Sequence, residues 1–133
     1  MFEIDFKFSE PFELESGELL SPLDLRSSIY GKLNAEKSNA VLVFHALTGS
    51  SKIAEWWGAI LGDGLGLDTS RFAFICVNAL GSCYGSTSGK SIESVVTTRD
   101  IVRSQKLLLE YLGIEKFRAV VGGSVGGMLA LQF

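Results

Sequence analysis

Val120-Val121-Gly122-Gly123-Ser124-Val125-Gly126-Gly127-Met128-Leu129 is the stretch that decides how this chain folds. Phe117 to Val121, broken only by Arg118, is a short apolar run with β-branched residues, which predicts a strand. Met128 to Phe133 reads as the first turns of an apolar helix. Between them stands Gly-x-Ser-x-Gly, with glycine at 122 and 126. A serine on a tight, strained strand-to-helix turn needs small neighbours so that the backbone can pass, and the turn lifts its hydroxyl above the carboxyl end of a sheet. The helix behind it aims its first amide N–H groups at the same place. Ser124 is therefore the candidate nucleophile, and Gly122, Gly123, Gly126 and Gly127 are the residues that let the elbow close. A glycine-rich turn carrying an incidental serine is the plainer alternative.

Two apolar runs precede this one, Val41 to Phe44 and Phe72 to Val77. Neither has a wet face, as expected of parallel strands covered by helices on both sides. Between the second run and the third, a helix is expected from Thr97 or Thr98. Asp100 and Arg103 open its polar face, Ile101, Leu108 and Leu112 share an apolar one, and Gly113 ends it. Strand, helix and strand make a βαβ unit. Ser51 to Gly62 predicts another helix containing Trp56 and Trp57, broken by Gly62-Asp63-Gly64-Leu65-Gly66. The N-terminal region differs. Phe2, Ile4, Phe6 and Phe8 alternate with Glu3, Asp5 and Lys7, and Phe12 to Glu15 continues the alternation. Ser16-Gly17-Glu18 reads as a hairpin turn, Leu23 to Arg26 as a half-exposed strand, and Gly31 to Asn39 as a loop. The fold class is α/β: an antiparallel unit of about thirty residues, then parallel strands with crossover helices.

Composition narrows the function. With 47 % hydrophobic and 20 % charged residues the chain is globular, not a linker. A net charge of −3 gives no basic footprint for nucleic acid or anionic lipid. No apolar run approaches the roughly 18 residues of a membrane span. The acidic, alternating N-terminus is not a signal peptide. Cys76 and Cys83 are expected to be free thiols in a reducing cytoplasm. No His/Cys/Asp/Glu cluster has metal-ligand spacing.

Two more motifs follow buried strands. In His45-Ala46-Leu47-Thr48-Gly49 the loop after the first parallel strand is placed to supply an amide to an oxyanion hole, beside the amide of the residue after the nucleophile. Leu47 N–H and Val125 N–H are the candidates, and His45 is expected to be a structural hydrogen-bonder. Gly85-Ser86-Thr87-Ser88-Gly89-Lys90-Ser91 imitates a phosphate-binding loop. That motif needs Gly, four residues, then Gly-Lys-Ser/Thr, and Tyr84 stands where the first glycine belongs. Nucleotide binding at Gly85–Ser91 is a remote alternative to a flexible Ser/Gly loop. Trp56 and Trp57 could line a substrate pocket, with core packing expected for at least one.

Taken in order, several stretches resemble homoserine O-acetyltransferases. They are His45 to Gly49, Trp56-Trp57, Asn78-Ala79-Leu80-Gly81-Ser82-Cys83-Tyr84-Gly85-Ser86-Thr87, Thr98-Arg99-Asp100, and Gly122 to Met128. Phe12 to Glu18 and Leu107 to Ile114 fit as well. The resemblance implies an α/β-hydrolase fold and a double displacement. Ser124 would take an acetyl group from the cosubstrate acetyl-CoA, and the hydroxyl of L-homoserine would accept it, for methionine synthesis. No bound cofactor is implied, and the full-length enzyme would be a homodimer. A homoserine O-succinyltransferase, or a serine esterase of the same fold, are the alternatives. Val125 stands where the family usually has methionine, and Ser86 to Val96 looks shorter than its counterpart.

A serine nucleophile also needs a base oriented by a carboxylate, and in this fold both follow the serine. The nine residues after Ser124 hold no His, Asp or Glu. Residues 1–133 are thus expected to be a partial catalytic domain, ending just after the elbow, without the lid region, the later strands, or activity of its own. The outer edge at Ala119 to Val121 would be unpaired and aggregation-prone.

Overall fold

A computed structural model describes residues 1–133. The elements are β1 (Phe2–Phe8), β2 (Phe12–Glu13), β3 (Leu19–Leu20), β4 (Leu23–Tyr30), β5 (Ala40–Phe44), α1 (Ile53–Trp57), β6 (Leu61–Gly62), β7 (Leu67–Asp68), β8 (Ala73–Val77), α2 (Thr98–Tyr111), β9 (Ala119–Gly122) and α3 (Val125–Gln132). Five strands form one sheet in the order β1-β4-β8-β5-β9. β1 pairs antiparallel with β4, and β4 with β8; β5 is parallel to both β8 and β9. The expected sequence of an antiparallel unit followed by a parallel one is therefore observed.

Burial explains the order. Every residue of β5 and β8 is buried, so these strands need cover on both faces. Leu42 and Phe44 point to a cluster with Val102 and Leu109 of α2 and Leu129 of α3. Val41 and Val43 point the other way, to Ile53, Phe74 and Cys76, with Trp56 and Trp57 packed against them. Because β5 sits between β8 and β9, the βαβ connection through α2 passes over β5 and does not join neighbouring strands. A third cluster, with Phe12, Leu14, Leu20 and Leu108, seats the β2–β3 hairpin beside α2. No helix is long and apolar enough to cross a membrane.

Four local expectations change. β4 runs on past Arg26 to Tyr30, and its second half is buried. Ser27 and Ser28 look like a strand end in sequence, but Ser28 Oγ finds Ser51 Oγ at 2.8 Å inside the protein. The alternation of Phe12 to Glu15 ends after Glu13, because the Leu14 N–H and C=O close the hairpin turn with Glu18 and Gly17. The tryptophan helix covers only Ile53 to Trp57, since the chain then turns back to pair β6 with β7. Asp100 is not part of a polar face: it is 0 % exposed. One face of its carboxylate completes a capping box with Thr97, and the rest accepts the Glu15 N–H at 2.9 Å and a bond from Arg103. Those partners replace the water that burial removes.

Candidate active site

β9 ends at Gly122 and α3 begins at Val125, so Ser124 stands at the junction. Its backbone has φ 57° and ψ −129°, a conformation that side-chain-bearing residues rarely adopt and that costs about 1–3 kcal/mol. The residue is exposed, and its hydroxyl does not cap the helix behind it. Close approach dictates two of the glycines. A Cβ on Gly122 would lie 2.2 Å from the Gly126 carbonyl oxygen. One on Gly126 would lie 2.3 Å from the Phe44 carbonyl oxygen and 2.8 Å from that of His45. The other two are less constrained: a Cβ on Gly123 would make ordinary contact with Trp57, 3.9 Å away, and one on Gly127 would meet the Gly122 oxygen at 3.4 Å.

The same contacts join the elbow to the loop after β5. Phe44 is in register with Gly122, so both strands release the chain at one level of the sheet. The first turn of α3 then packs on the Phe44 and His45 carbonyls. Beyond them, Ala46 to Gly49 forms a turn closed by the Gly49 N–H on the Ala46 oxygen at 2.9 Å. Leu47 is its second residue and is 81 % exposed. Among the loop and cap hydrogen bonds, none is donated by the backbone of Leu47 or Val125. The two segments read from sequence as nucleophile and oxyanion donors thus lie side by side.

His45 is buried, and neither of its ring nitrogens is free. Nε2 accepts the Ala79 N–H at 3.0 Å, while Nδ1 lies 2.7 Å from the Ala46 oxygen. Burial pushes its pKa down, partly opposed by the bond to Ala46. The expectation of a structural hydrogen-bonder holds. Asn78 enters the sequence reading only as part of a resembling stretch, and its bridging role is not legible there. It is 1 % exposed. Its Oδ1 accepts the Ser51 N–H at 2.6 Å, its Nδ2 donates to the Tyr84 oxygen at 2.6 Å, and its carbonyl accepts the Ser86 hydroxyl at 2.6 Å. It ties the loop after β5 to the loop after β8. The available signal was a lone amide directly after an apolar run.

The phosphate-loop imitation is fastened, not flexible. Ser86 Oγ also accepts the Arg26 N–H, and Thr87 exchanges bonds with Asp24 through its amide and hydroxyl. Only one 3₁₀ turn, Gly89–Ser91, follows, and the next α-helix waits until Thr98. A phosphate-binding loop opens straight into a helix, and this one does not.

Trp57 stands beside the elbow, and Trp56 donates its indole N–H to the Ser50 oxygen at 3.1 Å. A cavity of about 350 Å³ opens where the loops after β5 and β8 meet, lined by Ser51, Asn78, Cys83 and Tyr84 among others. No group of three or more His, Cys, Asp or Glu side chains is placed to hold a metal ion. Both cysteines are free. Burial raises the Cys76 thiol far above its usual range, leaving it unreactive, and Cys83 is exposed.

Comparison with known proteins matches residues 39–133 to the alpha/beta hydrolase fold family. The homoserine O-acetyltransferase of Geobacter sulfurreducens is 46 % identical over 147 aligned residues, covering 95 % of this chain and 40 % of that protein. That alignment is longer than the 133-residue chain, so it opens gaps on this side. The crystal structure of the Bacillus anthracis homoserine O-acetyltransferase superposes with a TM-score of 0.87 at 29 % identity, covering 98 % of this chain and 42 % of that one. The acetyl esterase MekB superposes with a TM-score of 0.82 at 34 % identity, covering 97 % of this chain and 39 % of its own. The chain spans about two fifths of the length of the curated relatives it matches.

Proposed function

The chain belongs to the alpha/beta hydrolase fold family, and on that premise we propose that it is the N-terminal, nucleophile-bearing part of a homoserine O-acetyltransferase. The observation that carries the reading is the elbow. An exposed serine is held at φ 57° between β9 and α3, and the helical turn behind it packs at Gly126 on the Phe44 and His45 carbonyls, where the loop that bears Leu47 begins. The names of the relatives support the choice of reaction.

In this reading Ser124 Oγ attacks the thioester carbonyl of acetyl-CoA. The Oγ–C bond forms as the serine proton passes to a base, and collapse of the tetrahedral intermediate breaks the C–S bond, the base returning that proton so that coenzyme A leaves as the thiol. The hydroxyl of L-homoserine then attacks the acetyl-serine ester, and Ser124 recovers its proton. The Leu47 and Val125 amides hold the oxyanion of each tetrahedral intermediate, helped by the positive end of α3. We place the base outside residues 1–133, a reading supported by His45, the single histidine, whose two ring nitrogens are both committed to backbone groups. We assign the base and its carboxylate to the remainder of a longer, cytoplasmic and dimeric enzyme, and expect the 133-residue chain to be inactive by itself.

The full-length protein, offered acetyl-CoA with homoserine, is expected to release O-acetylhomoserine. Ser124→Ala should lower turnover by about 10³-fold or more. Turnover that survives the substitution would overturn the reading, as would turnover by the purified 133-residue chain. The likeness to MekB favours one second reading, acetyl-ester hydrolysis with water as acceptor. Homoserine-independent release of acetate would identify it. Offering succinyl-CoA beside acetyl-CoA separates the succinyltransferase.

A further inference from the structure

We infer that His45 is a positioning residue for acyl transfer: its Nδ1–H, Nε2-acceptor tautomer holds the Ala46–Gly49 turn that presents Leu47 N–H, and anchors it to the loop after β8. The inference rests on the reading of Leu47 as an oxyanion donor. The tautomer follows from the partners. Ala79 N–H can only donate, so Nε2, 3.0 Å away, must accept and carries no proton. The remaining ring proton is then on Nδ1, 2.7 Å from the Ala46 oxygen, which can only accept.

The same Ala46 oxygen closes the turn by accepting the Gly49 N–H at 2.9 Å. One carbonyl is thereby fixed from two directions, by the ring and by the far end of the turn. Leu47 and Thr48 lie between them and are both exposed, with no packing of their own to set their angle. The Leu47 side chain, 81 % exposed, does not itself anchor the turn. On its backbone side His45 is a floor for the elbow, because a Cβ on Gly126 would fall 2.8 Å from the His45 oxygen. The loop after β8 is in turn immobilised through Asn78, so the imidazole is anchored to a rigid point. A donor that must meet a developing charge works only when it is oriented beforehand. The ring supplies that orientation without touching substrate.

The test uses the full-length protein and three variants. His45→Asn keeps an amide donor near the Ala46 oxygen, His45→Gln keeps an acceptor within reach of Ala79, and His45→Ala keeps neither. Acylation is followed as the p-nitrophenolate burst from p-nitrophenyl acetate, with thermal melting alongside. The expected result is a fall in the burst rate constant of about 10- to 100-fold for His45→Ala, less than complete removal of an oxyanion donor costs. KM for homoserine should be unchanged, and Asn and Gln should each recover part of the rate. A His45→Ala protein that stays folded and acylates at the wild-type rate would overturn the inference. So would equal losses in all three variants that follow their melting temperatures. A second readout does not depend on activity: in ¹⁵N-labelled protein at neutral pH, the imidazole signal missing from His45→Asn should be that of an Nδ1–H ring. An Nε2–H ring there would sink the inference. A wild-type protein that gives no burst would instead discredit the Ser124 reading, and with it the role in acyl transfer, while the ring signal would still establish or refute the tautomer.

Discussion

Two glycine- and serine-rich segments leave the carboxyl end of one sheet, residues 85–91 after β8 and residues 122–127 after β9. Glycine and serine dominate both, and each imitates a known functional loop. In the first, the hydroxyls of Ser86 and Thr87 are both engaged, the Ser86 side chain is buried, and the segment is stitched to β4. In the second, the Ser124 hydroxyl caps nothing, the backbone is strained, and a helix begins on the next residue. A Gly/Ser loop is available for chemistry when its polar groups face outward and unpaired, which spacing alone does not reveal.

The largest stability effect expected from breaking this contrast is at Gly126. Gly126→Ala drives a Cβ to 2.3 Å from the Phe44 oxygen, a backbone atom that cannot rotate aside. The cost should be at least about 3 kcal/mol, at the upper end of overpacking penalties. Gly123→Ala meets only Trp57 at 3.9 Å and should stay within about 1 kcal/mol of wild type. Urea denaturation of the full-length variants checks both. Equal costs would mean that glycine at 126 serves something other than close approach. In the other segment, Ser86→Ala removes the partner of both the Asn78 carbonyl and the Arg26 N–H. It should cost about 1–3 kcal/mol, the usual penalty for orphaned buried groups, while Ser124 remains reactive. Loss of the acylation burst at unchanged stability would show that the fastened segment is part of the site after all.

What could be read in the sequence follows the range of the forces involved. The elbow was legible because its demands fall on neighbouring residues: Gly122, Ser124 and Gly126 announce one turn. The alternation of Phe2 to Phe8 and the apolar runs at 41–44 and 72–77 were legible for the same reason, each being a local burial pattern. Sheet order was not, because placing β5 between β8 and β9 is settled by packing on two faces at once. Asp100 looked polar and exposed. Its second set of partners, Glu15 and Arg103, includes a group 85 residues away in the chain. His45 and Ala79 are 34 residues apart, and Asn78 and Ser51 are 27 apart. Nothing local marks any of these pairs.

A subtler comparison sets Ser124→Gly against Ser124→Ala. Both delete the hydroxyl, so both should be inactive, but they differ in what the backbone tolerates. Alanine retains a Cβ at φ 57°, whereas glycine adopts that conformation freely. Ser124→Gly should therefore be the more stable of the two by about 1 kcal/mol, net of the extra freedom glycine has when unfolded. Thermal melting of the full-length pair reads the difference. Reversal of the order would mean that the elbow stores no strain.

The gentlest probe is pH, acting on the ring that ties the loops together. Burial lowers the His45 pKa in the folded protein below its ordinary value of 6.5. Between the folded value and 6.5 the unfolded chain therefore binds more protons than the folded one, and stability rises with pH across that window. His45 contributes fully above 6.5, and its contribution is lost as the pH falls. The physical event is the same one that fixes the tautomer. A proton on Nε2 would turn an acceptor toward the Ala79 N–H into a second donor. Carboxylates also titrate on acidification, but they do so equally in His45→Gln, which has no ring to protonate. The stability advantage of wild type over His45→Gln, measured by urea denaturation, should thus shrink as the pH is lowered through 6.5 and below. An advantage that stays constant across that range would show that burial does not hold the imidazole neutral.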